Sequence, residues 1–286
     1  MTQRVRALAP DALQVGEEAV TGTAGSTRGN ASVFALGASP SLTQRAAERA
    51  RDGVAAVGPA TTRLVDAVAQ LDDAATRGQS RLPGWTRAHV ISHLARNADG
   101  LVNLLTWART GVEHPMYASR ADRDADIAEG SARPQRLLSE DLVAASQRFA
   151  HAAETLADAA WTTRVANLSG ATFFAAEVPW MRVREVWLHL VDLDVGCDVQ
   201  DVPAELVEIM LDDAVQQLDG RADVPPLEVE AELPGGGQRS WVVNASELNT
   251  AVESVRGDGR ELLGWLTGRG SGTGLDGALP ALPPWA

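Results

Sequence analysis

From about position 53 onward, apolar residues recur at helical spacing. In "VAAVGPATTRLVDAVAQLDDAA", Leu64, Val65, Val68 and Leu71 fall on one face and predict a helix. "GQSRLPGWT" breaks the pattern with glycine and proline. Thr86 then stands as the N-cap of a helix through "RAHVISHLARNADGLVNLLTWAR". Its stripe is Ile91, Leu94, Ala98, Leu101 and Leu105, and Gly111 and Pro115 close it. A third helix runs through "PQRLLSEDLVAASQRFAHAAETLADAA", with Leu138, Leu142, Ala145, Phe149 and Ala152 facing inward. A fourth covers 179–194, and Pro179 suits its first turn. Four long helices in succession predict an antiparallel bundle.

The pattern changes after Gly196. "AELVEIMLDDAVQQL" is a further helix, whereas "PPLEVEAEL" and "RSWVVNAS" alternate apolar with polar on either side of "PGGGQ" and predict a β-hairpin. "SELNTAVESVRGDGRELLGWLTGRG" predicts a short strand and then a helix ending at Gly268 to Gly270, followed by a loop tail. Residues 1–50 mix Gly, Ala, Ser, Thr and Arg with little periodicity, too little apolar surface to offset ordering entropy, and predict a disordered leader. The expected organisation is therefore leader 1–50, helical bundle 51–198 and a small α+β domain 199–286, a mainly α chain with an α+β addition.

Composition narrows the function. The 286 residues are 45% hydrophobic, enough for a sizeable core. All 25 basic residues are arginine, and the net charge is −13. So acidic a chain does not attract nucleic acid or an anionic membrane through its overall charge. No apolar run reaches the roughly 18 residues of a membrane span. The first twenty residues lack the apolar core of a signal peptide. The one cysteine, Cys197, has no internal partner, so a cytoplasmic protein is the simplest reading; a monomer is expected.

The chemistry concentrates in "EVWLHLVDL", residues 185–193, where a mostly apolar helix carries Glu185 and His189 four positions apart. Residues at that spacing share a face, as do His89 and His93 on the second helix. If the two helices face each other, one histidine of that pair joins Glu185 and His189. Two imidazoles and a carboxylate form a catalytic zinc set with one position open. Spacing alone leaves both His89 and His93 in reach. It also leaves open a plain solvated Glu–His pair, although burial of an unpaired carboxylate would be costly.

"GWTRAHVISHLARNADGL", "WARTG", "HPMY", "WMRVREVWLHLVDL" and "LLGWLTGRG", in this order, resemble the mycothiol-dependent maleylpyruvate isomerases over about residues 55–285. The resemblance implies a DinB-like four-helix bundle followed by a small α+β domain. It implies metal ligands His93, Glu185 and His189, with His89 a neighbour, and Arg269 of "GRG" close to the active site. It implies zinc and mycothiol as cofactors, and a small dicarboxylate and a low-molecular-weight thiol as partners. The implied reaction converts maleylpyruvate to fumarylpyruvate, a step of gentisate breakdown, by thiolate addition, bond rotation and elimination. Arg269 would hold a substrate carboxylate in its planar fork, the alternative being a helix C-terminal charge. Cys197 reads as an idle thiol, so the nucleophile comes from outside the chain.

The remaining features read as structural. Trp85, Trp107, Trp180 and Trp187 read as packing, "PGGGQ" as a turn and not a phosphate loop, and "RADRDADIAEG" as a solvated charge run. His114 and His151 read as surface residues, with His114 able to line a cleft. Two other functions fit the same residues: a zinc-dependent mycothiol S-transferase or thiol-exchange enzyme, and a non-catalytic metal module. The second would want four protein ligands where only three stand at suitable places.

Overall fold

A computed structural model describes residues 40–244 and 252–285. The leader expected over 1–50 thus lies mostly outside the described residues. Its last part does not behave as leader: α1, Leu42–Ala69, begins there. Ser41 accepts from the Gln44 backbone amide at 3.2 Å while the Gln44 side chain accepts from the Ser41 amide at 2.7 Å, a reciprocal cap. The buried face of these first turns is Ala46, Ala47, Ala50 and Gly53. Small residues there allow close approach, since a Cβ on Gly53 would lie 2.9 Å from the Cβ of Pro179.

The short α2, Asp73–Arg77, precedes α3, Arg87–Thr110. Thr86 caps α3 as expected, and Gly111 ends it in the left-handed conformation at φ 71°. The charge run "RADRDADIAEG" is mostly exposed, as expected, and forms helix α4, Arg120–Ser131, which packs on α3 through Ile127 and Gly130. Then come α5, Gln135–Glu154, a small antiparallel pair β1, Arg164–Ala166, and β2, Thr172–Phe174, and α6, Val178–Asp192. Helices α1, α3, α5 and α6 form the bundle, in which α3 and α1 each pack against both α5 and α6. Helix α6 buries residues around most of its circumference, as a helix covered on more than one side must.

Beyond α7, Ala204–Leu218, the chain builds a four-stranded sheet in the order β4-β3-β5-β6. Strands β3, Leu227–Glu232, and β4, Gln238–Val243, form the expected antiparallel hairpin, with Leu227 opposite Val243 and Glu232 opposite Gln238. Gly236 and Gly237 turn it at φ 90° and 94°, values open to glycine. Strand β5, Glu253–Asp258, pairs parallel with β3, a crossover that local pattern does not reveal. Helix α8, Gly259–Leu266, follows, and β6, Asp276–Gly277, closes the edge. Leu227, Val229 and Ala231 point one way into the core under α7 and α8. The fold is mainly α with an α+β part. No described helix is long and apolar enough to cross a membrane.

Candidate metal centre

The packing of α3 against α6 brings His93 to Glu185 and His189. His93 Nε2 lies 3.0 Å from Glu185 Oε2, and His189 Nε2 lies 3.6 Å from the same oxygen. The three groups offer ligand atoms that all fall within 4.8 Å of one another. The two imidazoles meet edge to face with centroids 4.6 Å apart. Their side chains are 6% (His93), 19% (Glu185) and 13% (His189) exposed, so the cluster is sunk in the protein, with Glu185 the most accessible of the three.

His89 turns elsewhere. Its Nδ1 lies 3.3 Å from the Thr86 amide and 2.7 Å from Thr86 Oγ1, which makes it the second half of the α3 cap. Trp85 stacks near His89 and tilts over His93 at 5.6 Å, a packing role that also walls the His93 ring. His114, His151 and Cys197 stand outside the cluster.

Around these three side chains sit groups that spacing did not single out. Asp192, one turn beyond His189 and almost wholly buried, accepts from His189 Nδ1 at 2.8 Å. That bond keeps a proton on Nδ1 and turns Nε2 toward Glu185, the orientation a histidine ligand needs. Asp192 is clamped in turn by Arg269, which donates from Nε at 3.1 Å and from Nη2 at 2.6 Å, while Arg269 Nη1 donates to the Thr267 carbonyl at 2.6 Å. Arg269 therefore does reach the site from beyond α8. The fork assigned in the sequence to a substrate carboxylate is closed on a carboxylate of the chain itself.

Arg123 of α4 places Nη2 3.2 Å from His93 Nδ1, and its guanidinium lies 5.9 Å from the centroid of the Tyr117 ring. Gly100 on α3 makes room for Tyr117: a Cβ there would meet the ring at 3.2 Å. Arg182, fully buried one turn before Glu185, donates to the Leu94 carbonyl at 2.8 Å, Asn97 Oδ1 at 2.9 Å and Ser146 Oγ at 3.3 Å.

These surroundings set the protonation states. Burial pushes His93 down to about 4, so it is neutral at neutral pH. Burial alone would raise Glu185, but hydrogen bonds from His189 and His93 outweigh it and hold the carboxyl well below its usual range. Burial pushes Tyr117 up to about 12 and Arg182 down to about 10, leaving the first neutral and the second charged. A neutral imidazole, an ionised carboxylate and a second imidazole of fixed tautomer are a donor set suited to Zn2+, one short of four protein ligands.

Residues 57–194 match the family described as mycothiol maleylpyruvate isomerase N-terminal domain. Among solved structures, the chain is similar to the crystal structure of the mycothiol-dependent maleylpyruvate isomerase, at 28% identity and a TM-score of 0.72, over 83% of this chain and 96% of that one. A histidine-to-alanine mutant of that enzyme matches over the same shares at 27% identity and the same TM-score of 0.72. No curated protein matches the chain significantly by sequence.

Proposed function

We propose, from the match of residues 57–194 to the family described as mycothiol maleylpyruvate isomerase N-terminal domain, that the chain is a zinc- and mycothiol-dependent cis–trans isomerase. Its proposed substrate is maleylpyruvate and its product fumarylpyruvate. The observation that carries this reading is the convergence of His93, Glu185 and His189 with the His189 tautomer already set by Asp192.

A zinc ion held there would acidify a bound thiol and polarise a substrate carbonyl. The chain supplies the rest. Glu185 brings the one negative charge among the ligands and is kept ionised by its two imidazole neighbours. Asp192 keeps His189 from rotating or changing tautomer, and Arg269 keeps Asp192 in place. The buried Arg182 adds positive charge near Glu185, and with a divalent metal the centre attracts anions: a thiolate and a carboxylate. The chain's one cysteine, Cys197, is buried and burial pushes its thiol up, so the nucleophile is an external thiol. Addition of an external thiolate turns the substrate double bond into a single bond that can rotate, and elimination restores the alkene in the trans form.

The test is direct. Zinc-loaded protein with mycothiol should convert maleylpyruvate, followed by loss of the cis isomer, and omission of the thiol should stop turnover. Isomerisation at full rate without a thiol, or none with zinc and thiol both present, would end this reading.

A further inference from the structure

The two imidazoles of the centre are prepared differently. A guanidinium only donates hydrogen bonds. With Arg123 Nη2 at 3.2 Å, His93 Nδ1 is therefore the acceptor, and the ring proton sits on Nε2, where it donates to Glu185 at 3.0 Å. The two bonds agree with each other and exclude ligation through Nε2. A metal on Nε2 requires the proton on Nδ1, and an N–H would then point at the N–H of Arg123. His189 meets no such conflict, since a carboxylate faces its Nδ1.

We propose that Arg123 is an exchangeable cation: it leaves His93 when Nε2 takes a metal, and its guanidinium then receives a carboxylate of the substrate. This rests on the function proposed above. The other arginines around the centre are committed. Arg269 is closed on Asp192 and Thr267. Arg184 donates from Nη1 to both oxygens of Asp213 at 2.7 Å. Arg182 is enclosed by Leu94, Asn97 and Ser146. Arg123 pairs through Nη1 with Asp124 at 2.7 Å, but Asp124 is 57% exposed, and a solvated pair of neighbours is weak. The Tyr117 ring, with its centroid 5.9 Å from the guanidinium carbon, holds the guanidinium beside His93 while its N–H edge changes partner. A planar fork at a centre of positive charge favours a carboxylate over a neutral group.

The experiment uses full-length wild type, Arg123→Gln and Arg123→Lys. Zinc affinity is measured on the metal-free proteins by competition with a chromogenic chelator. Maleate, a cis dicarboxylate, is then titrated calorimetrically into the zinc-loaded proteins without thiol. Arg123→Gln should hold zinc as tightly as wild type or more so, and bind maleate on the order of ten-fold more weakly. Arg123→Lys should fall between, keeping the charge and losing the fork. Equal maleate affinity in all three, no maleate uptake by wild type, or weaker zinc binding in Arg123→Gln would each overturn the proposal, the last by making Arg123 a mere support for His93. A wild type that takes zinc no better than His93→Ala would instead defeat the metal centre itself.

Discussion

One helical turn separates His89 from His93, and the turn decides what each can do. His89 occupies the third position of α3, where its ring completes the cap with Thr86. His93 faces Glu185 across the helix interface. His93→Ala should abolish stoichiometric zinc binding and turnover together, while His89→Ala should keep both and lose about 1 kcal/mol of stability, the usual worth of a cap. Metal analysis beside thermal melting checks both, and a His89→Ala protein without metal would contradict the assignment. The sequence could carry this far because i, i+4 spacing is visible in one dimension. Asp192 lies three residues after His189, yet nothing in the sequence marks its role. Its meaning depends on which imidazole nitrogen faces which helix, and spacing does not encode that.

Helices with large apolar stripes, α3, α5 and α7, stand out in the sequence because leucine and isoleucine mark their buried faces. Two elements hid for the opposite reason. The first turns of α1 bury alanine and glycine, which composition reads as low complexity. Helix α4 buries just Ile127 and Gly130, and with Arg123 these fall at i, i+4 and i+7, one face written in residues that look like solvent and punctuation. Gly130 fixes how near α4 lies to α3: an added Cβ would stand 2.2 Å from Ser92 Oγ and 3.2 Å from its Cβ. Gly130→Ala should therefore push α4 off α3, costing about 1–3 kcal/mol as overpacking does. A melting temperature equal to wild type would show that α4 is not seated by this contact.

For the whole molecule, α1 ties the N-terminal side of the described chain to α6. Arg49 pairs with Glu177 at 2.9 Å, and its carbonyl accepts from Trp180 Nε1 at 2.9 Å. A chain starting at Pro40 keeps these contacts and the Ser41 cap, whereas one starting at Ala50 loses them all. The shorter chain should melt lower, by roughly 1–3 kcal/mol in stability for the lost cap and paired groups. Equal melting of the two would make the first turns of α1 dispensable. The C-terminal part is joined more consequentially. Arg269, from beyond α8, holds the carboxylate that holds His189 of the bundle. Asp192→Asn should weaken zinc ten- to a hundred-fold, the typical effect of losing such a support, as measured by chelator competition. The same contact makes the two parts of the chain communicate. A metal that favours the clamped His189 must favour the seated Arg269 loop by an equal factor, since coupling between two equilibria is reciprocal. Zinc should accordingly slow amide hydrogen exchange at residues 264–270, far along the chain from every ligand, and that slowing should vanish in Arg269→Ala.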